Sequence, residues 1–170
     1  MDANDLRTML DYNVWARKRL LEAVTPLSAE QYAKPLGSSF GSVRDTVVHL
    51  YGAEWIWTAR LEATPPPAAF PAAEAYPDLA DVQEAWAAND VRLRAFAGTL
   101  DAASVQLMIE YRTMAGASMS SPVWQIIHHM TNHATYHRGQ VTTLIRQLGG
   151  KPPKSQDLIT FYRELGTAAA

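Results

Sequence analysis

Residues Ser121–Gly150 read SPVWQIIHHMTNHATYHRGQVTTLIRQLGG, a long amphipathic helix with four histidines in it. Val123, Ile126, Ile127, Met130, Ala134, Val141, Leu144, Ile145 and Leu148 recur at helical spacing and form one core-facing stripe. Ser121 suits the N-cap, Pro122 the first helical position, and Gly149-Gly150 the end of the helix. At roughly 100° per residue, His137 falls inside the stripe and His133 at its edge, while His129 lies further round and His128 points away. Two imidazoles one turn apart and aimed into a bundle interior meet the first requirement of a chelating pair.

Toward the N-terminus, Ser42-Val43-Arg44-Asp45 opens another helix that continues to about Leu61, with the aspartate placed to answer the serine cap. Val43, Thr46, Leu50, Ala53, Trp57 and Leu61 share one face with His49 at its margin. Val47, Val48, Tyr51 and Trp55 make a second apolar side. A helix apolar nearly all round is buried on more than one face, which suits a homodimer contact. On periodicity alone, His49 is equally a satisfied core histidine or a metal ligand.

The first helix is expected from about Asp5 to Val24, stopped by Pro26. Its stripe is Leu6, Met9, Leu10, Ala16, Leu20 and Val24, and Asn13 in the middle of it needs a partner inside the bundle. Ser28-Ala29-Glu30-Gln31 is a capping box for one short turn that Pro35 ends. Ala63–Asp78, ATPPPAAFPAAEAYPD, is too proline-rich for helix and long enough to cross along a bundle. Asp78 caps a third long helix with Leu79, Val82, Trp86, Leu93, Phe96 and Leu100 in its seam. Val105–Arg112 with Ala115-Gly116 reads as a short hairpin ending at the cap of the fourth long helix. Beyond Gly150 the prolines force an extended segment, and Asp157–Arg163 adds one short helix before a small-residue tail. The predicted class is all-α: one domain, residues 1–170, built as a four-helix bundle with a long crossover between the second and third helices.

Composition narrows the function. With 170 residues, 48% hydrophobic and 19% charged, the chain can bury a sizeable core. A net charge of -2 gives no reason to expect nucleic acid, and Arg17-Lys18-Arg19 is short enough to be a solvated helix face. No apolar run is long enough for a bilayer and the N-terminus lacks signal-peptide order, so a cytoplasmic location without a membrane partner is expected. The chain has no cysteine, which leaves only nitrogen or oxygen to hold a metal.

Gly37-Ser38-Ser39-Phe40-Gly41 fits G-x-S-x-G with Ser39 as nucleophile. That motif requires a preceding strand, and Ala33-Lys34-Pro35-Leu36 is none, so a flexible loop is the better reading. Glu-x-x-His, His-Glu-x-x-His, P-loop and dinucleotide-turn patterns are all missing from the chain. What remains is His133-x-x-x-His137 with a third ligand to be found.

Three segments carry a resemblance: Tyr12-Asn13-Val14-Trp15-Ala16, then Gly41-Ser42-Val43-Arg44-Asp45 running on to His49-Leu50, and Asn132-His133-Ala134-Thr135-Tyr136-His137-Arg138-Gly139-Gln140. Over nearly its whole length the chain resembles the DinB/YfiT-like family, a group read as metalloenzymes, whose N-H-x-x-x-H-R-G-Q signature the last segment follows. The resemblance implies three histidine ligands, which by position are His49, His133 and His137, in preference to a His129/His133 pair. Three neutral imidazoles on one divalent ion, zinc or nickel, leave a position for water or substrate.

Relatives in that family include S-transferases that use a low-molecular-weight thiol. A metal-dependent S-transferase or hydrolase acting on a small molecule is therefore expected, its sulfur supplied by a cosubstrate. The alternative is a non-catalytic, stress-associated metal-binding dimer. Asn13, Thr46 and Glu54 lie within helical reach as hydrogen-bond partners of the ligands. Arg138 reads as a bundle or interface ion-pair partner. Trp15, Trp55, Trp57, Trp86 and Trp124 read as core or interface residues, one or two of them walling the site.

Overall fold

Helix starts are set by short polar side chains that satisfy the first free N–H groups. In the computed structural model, which describes residues 1–168, Asp2 accepts from the N–H groups of Asn4 and Asp5, and Asp5 answers the Asp2 N–H. That reciprocal box starts helix α1 (Ala3–Val24) two residues earlier than its apolar stripe indicated. The Ser28–Gln31 box opens α2 (Ala29–Ala33) as read. Ser42 caps α3 (Val43–Leu61) by accepting from the Asp45 N–H at 3.1 Å. Asp45 does not return the bond; its carboxylate takes the Arg44 guanidinium instead.

Asp78 and Asp81 open α4 (Leu79–Gly98), and the fourth long helix is α5 (Val123–Gln147). Ahead of α5 stand antiparallel strands β1 (Met108–Arg112) and β2 (Ser118–Pro122), with Ile109 opposite Ser121 and Tyr111 opposite Met119. Strand pairing therefore claims Ser121, which is not the helix cap. Pro122 holds that position in extended conformation, and the Val123 N–H donates to the Leu107 carbonyl. After α5 the chain closes with α6 (Leu158–Ala168), longer than the short helix expected, with Phe161 buried against Tyr12 and Trp15. Helix thus replaces most of the expected small-residue tail, whose last two residues lie outside the described ones.

Contacts between helices fix their directions. Asn13 and Arg17 of α1 meet Glu54 of α3, and Arg7 meets the carbonyls of Ala97 in α4 and of Leu100 just past its end. Glu54, Thr58 and Glu62 of α3 meet Trp86, Asn89 and Arg92 of α4 in matching order, so those two helices run parallel. The proline-rich crossover makes this possible by returning the chain to the same end. His49 meets α5 at His133, whereas Trp57, two turns later, meets His129, so α3 and α5 are antiparallel. The result is an up-down-down-up bundle.

Two apolar clusters fill its ends. One gathers Leu20, Val24, Val43, Val47, Trp86, Val141 and Ile145; the other gathers Leu6, Leu10, Leu61, Leu93, Val123, Ile126 and Ile127. Between them lies a polar layer of Asn13, Arg17, Glu54, Asn89 and Arg138, all buried. Arg17 is therefore not part of a solvated face: it pairs with Glu54 at 3.0 Å and with Asp90. The second apolar side of α3 is covered within the chain, since Tyr51 packs on Trp55, Tyr76 and Trp86. Among the described residues no helix is long and apolar enough to cross a membrane.

Candidate metal centre

The three histidines converge where α3 crosses α5, at the margin of the polar layer. Helical geometry explains the pair on α5, since residues four apart stand one above the other on one face. Each of His49, His133 and His137 offers a ring nitrogen within 4.8 Å of the others, and no acidic group joins them among the described residues. The Nε2 atoms of His49 and His133 are 3.2 Å apart. Two nitrogens at a zinc–nitrogen length of ~2.05 Å in a tetrahedron stand ~3.3 Å apart, so this spacing fits a shared cation.

Ring orientation is fixed from behind. His137 Nδ1 lies 2.6 Å from Gln140 Oε1, and Gln140 Nε2 donates to Ser39 Oγ at 3.2 Å. An amide oxygen only accepts, so His137 carries its proton on Nδ1 and keeps the Nε2 lone pair free. Gln140 was visible in the sequence as a residue one helical turn after a ligand, yet its role was missed. So was the role of the Gly37–Gly41 loop. It is no nucleophile elbow, for it begins after α2 and folds back through a Ser38–Gly41 bridge with Gly37 and Gly41 at φ 67° and 89°. Its task is to bring Ser39 to Gln140 and Phe40 to His49.

Phe40 stacks on one face of His49 at 3.9 Å between ring centres, and Phe70 stacks at 5.0 Å. Phe70 arrives on the crossover, which lies so close to α3 that a Cβ on Gly52 would sit 2.5 Å from Pro71 Cδ. Burial, with the neighbouring His137, holds the His49 pKa down to about 4. Burial and then His137, His49 and His129 hold His133 down to about 3. Both rings are neutral near pH 7, the form that binds a metal.

The expected partners of these rings lie elsewhere. Thr46 donates to the Ser42 carbonyl at 2.7 Å. Asn13 donates to Glu54, whose carboxylate also takes the Arg17 guanidinium and the Trp86 indole N–H. Burial raises the Glu54 pKa against the downward pull of Arg17 and Trp86. A narrow cavity bordered by Asn13, Glu54, Trp57 and Arg138 separates this layer from His133. Charge thus competes for Asn13 and Glu54 before the imidazoles can.

Arg138 lies inside the bundle, but it forms no ion pair among the described residues; it is bound instead by the neutral oxygens of Asn13, Tyr12 and Thr135. Of the tryptophans, Trp86 is buried in the core, Trp57 borders the cavity beside His133, and Trp15 packs on Phe161. His128 and His129 are left out of the cluster, His128 lying against Met1 and Trp124.

Comparison with known proteins agrees with this architecture. Protein DinB of Bacillus subtilis (strain 168) is 24% identical over 145 residues, which cover 83% of this chain and 84% of that protein. The crystal structure of a DinB-like protein from Bacillus cereus is similar with a TM-score of 0.61 at 16% identity, covering 86% of this chain and 95% of that one. At that identity the likeness speaks for the fold alone. The DinB family profile matches residues 1–164, from the cap of α1 into α6, and the chain belongs to the DinB family.

Proposed function

We propose that the protein is a metal-dependent enzyme of S-transferase or hydrolytic type, with His49, His133 and His137 as the ligands of one divalent ion. The observation that carries this reading is the convergence of the three ring nitrogens without any carboxylate among them. When bound, such an ion supplies Lewis acidity and a free position for an exogenous ligand. Three neutral ligands leave its double charge uncompensated, which favours an anionic fourth partner such as a thiolate. With no cysteine in the chain, that sulfur would come from a small thiol cosubstrate.

The chain's own residues orient the ligands. Gln140 holds the proton of His137 on Nδ1, and Phe40 and Phe70 stack on His49. Zinc and nickel both suit imidazole nitrogen. The test is metal analysis of the purified protein, followed by turnover of an electrophile panel with several thiols. One equivalent of metal and metal-dependent turnover support the proposal. Bound metal without turnover under any thiol or hydrolytic condition leaves the non-catalytic bundle as the reading.

A further inference from the structure

Arg60 is one of two buried cations of this bundle, with Arg138, for which the described residues provide no counter-ion. Only 8% of it is exposed, and no carboxylate lies within ion-pair distance among the described residues. Arg17 meets Glu54 and Asp90; Arg138, whose Nε is likewise buried without a partner, is held by three side-chain oxygens, of Asn13, Tyr12 and Thr135, where Arg60 has a single carbonyl. Arg60 Nη2 donates to the Arg112 carbonyl at 2.7 Å and Nε is buried without a partner. Its guanidinium lies 4.3 Å over the Trp57 ring and 4.9 Å over Tyr111. Aromatic faces hold the plane of the group and leave its edge to make hydrogen bonds. A buried charge held only by rings and one carbonyl is costly unless an anion joins it.

Its position gives that anion a direction. On α3, His49, Ala53, Trp57 and Arg60 follow one another at helical spacing on one face. On α5, His137, His133 and His129 do the same in the opposite sense. Trp57 is 5.1 Å from His129 between ring centres, and His129 is 5.7 Å from His133. A row of rings therefore leads from the metal centre to Arg60, with the exposed His129 at its rim.

We propose that Arg60 and His129, walled by Trp57 and Tyr111, form an anion subsite. It takes the carboxylate of an elongated, apolar-centred substrate or cosubstrate whose other end reaches the three-histidine centre. This rests on the metal-centre reading above only for what happens at the far end. The subsite itself stands on the unpaired guanidinium.

The full-length protein loaded with cobalt(II) separates the two. Mercaptohexanoate and mercaptohexanol are titrated against it, and binding is read from the sulfur-to-cobalt charge-transfer band. The carboxylate thiol is expected to bind roughly tenfold tighter, in line with one charge-assisted hydrogen bond. Arg60→Gln should erase that preference while leaving cobalt content and mercaptohexanol affinity unchanged. Arg60→Lys, which keeps the charge without the fork, should retain part of it and serves if the glutamine variant does not fold.

Should neither thiol perturb the cobalt spectrum, the thiol reading of the centre fails. Metal-free protein is then titrated with hexanoate and with hexanol while the His129 ring resonances are followed. A shift with hexanoate alone that Arg60→Gln abolishes keeps the subsite. Equal affinity for charged and uncharged ligands in both formats, or a preference that survives Arg60→Gln, would overturn it, and Arg60 is then only a staple between α3 and the hairpin.

Discussion

Arg138 donates to the side-chain oxygen of Asn13 across 2.6 Å at the centre of the bundle, and each residue is 2% exposed. The amide of Asn13 then donates onward to Glu54 at 2.9 Å. One neutral side chain thus joins a cation on α5 to a carboxylate on α3, directly behind the histidine pair. Asn13→Ala leaves a buried guanidinium and a buried carboxylate each short of a partner. We expect a loss of about 2–4 kcal/mol in urea unfolding, the cost of unsatisfied buried charge-bearing groups. A loss under ~1 kcal/mol would mean water replaces the amide freely.

The histidine assignment is tested by a graded pair of variants. His137→Ala removes one of three donors and should abolish stoichiometric metal binding with the helical circular dichroism retained. Gln140→Leu keeps all three donors but releases His137 Nδ1, and a tenfold to hundredfold weaker affinity for zinc is expected, about the effect of losing an outer-shell partner. Both affinities are read by competition with a chelating dye. Stoichiometric metal in the alanine variant would show that His137 is not a ligand.

Acid should destabilise the metal-free protein in a defined window. The folded pKa values of His49 and His133 are depressed, to about 4 and about 3, below the ordinary histidine value of 6.5. Between the two values the unfolded chain binds more protons than the folded one, so unfolding gains ground as pH falls. Stability is fully present above about pH 6.5 and declines as pH drops toward 4. Melting temperature measured across that range, in wild type and in His49→Gln, should converge on the acid side. A wild-type profile flat from pH 7 to about 4.5 contradicts half-buried rings held neutral.

Much of this was written in local patterns. The stripe from Val123 to Leu148 predicted α5 because a helix that must bury one face has a fixed period, and the same geometry brings His133 and His137 together. Asn13 inside an apolar stripe announced a buried polar partner, though not which one. His49 was undecided by periodicity, because α3 is buried nearly all round and every direction from it leads to core. Phe40 and Phe70 were illegible for a different reason. Their place depends on how two irregular segments close over α3, a long-range packing outcome with no period to betray it. The strand that claimed Ser121 belongs to the same class, since a proline beside a serine reads as a helix start until β1 is available to pair.

Gly52 is where the crossover is fitted to the site, and its substitution weighs two opposed effects. Alanine in the middle of α3 gains about 1 kcal/mol of helix propensity over glycine. The added Cβ, however, would stand 2.5 Å from Pro71 Cδ and 3.0 Å from Phe70 Cδ1, and a proline ring cannot rotate away. Overpacking of that kind costs roughly 1–3 kcal/mol, so the clash outweighs the propensity gain and the crossover moves. Gly52→Ala should therefore be neutral to mildly destabilising overall and more readily cleaved by protease within residues 63–72. It should also lose the ring-current shift that Phe70 imposes on His49, since those rings now stack at 5.0 Å. A more stable variant with unchanged His49 resonances would show that the crossover does not rest on Gly52, and that Phe70 covers the site for some other reason.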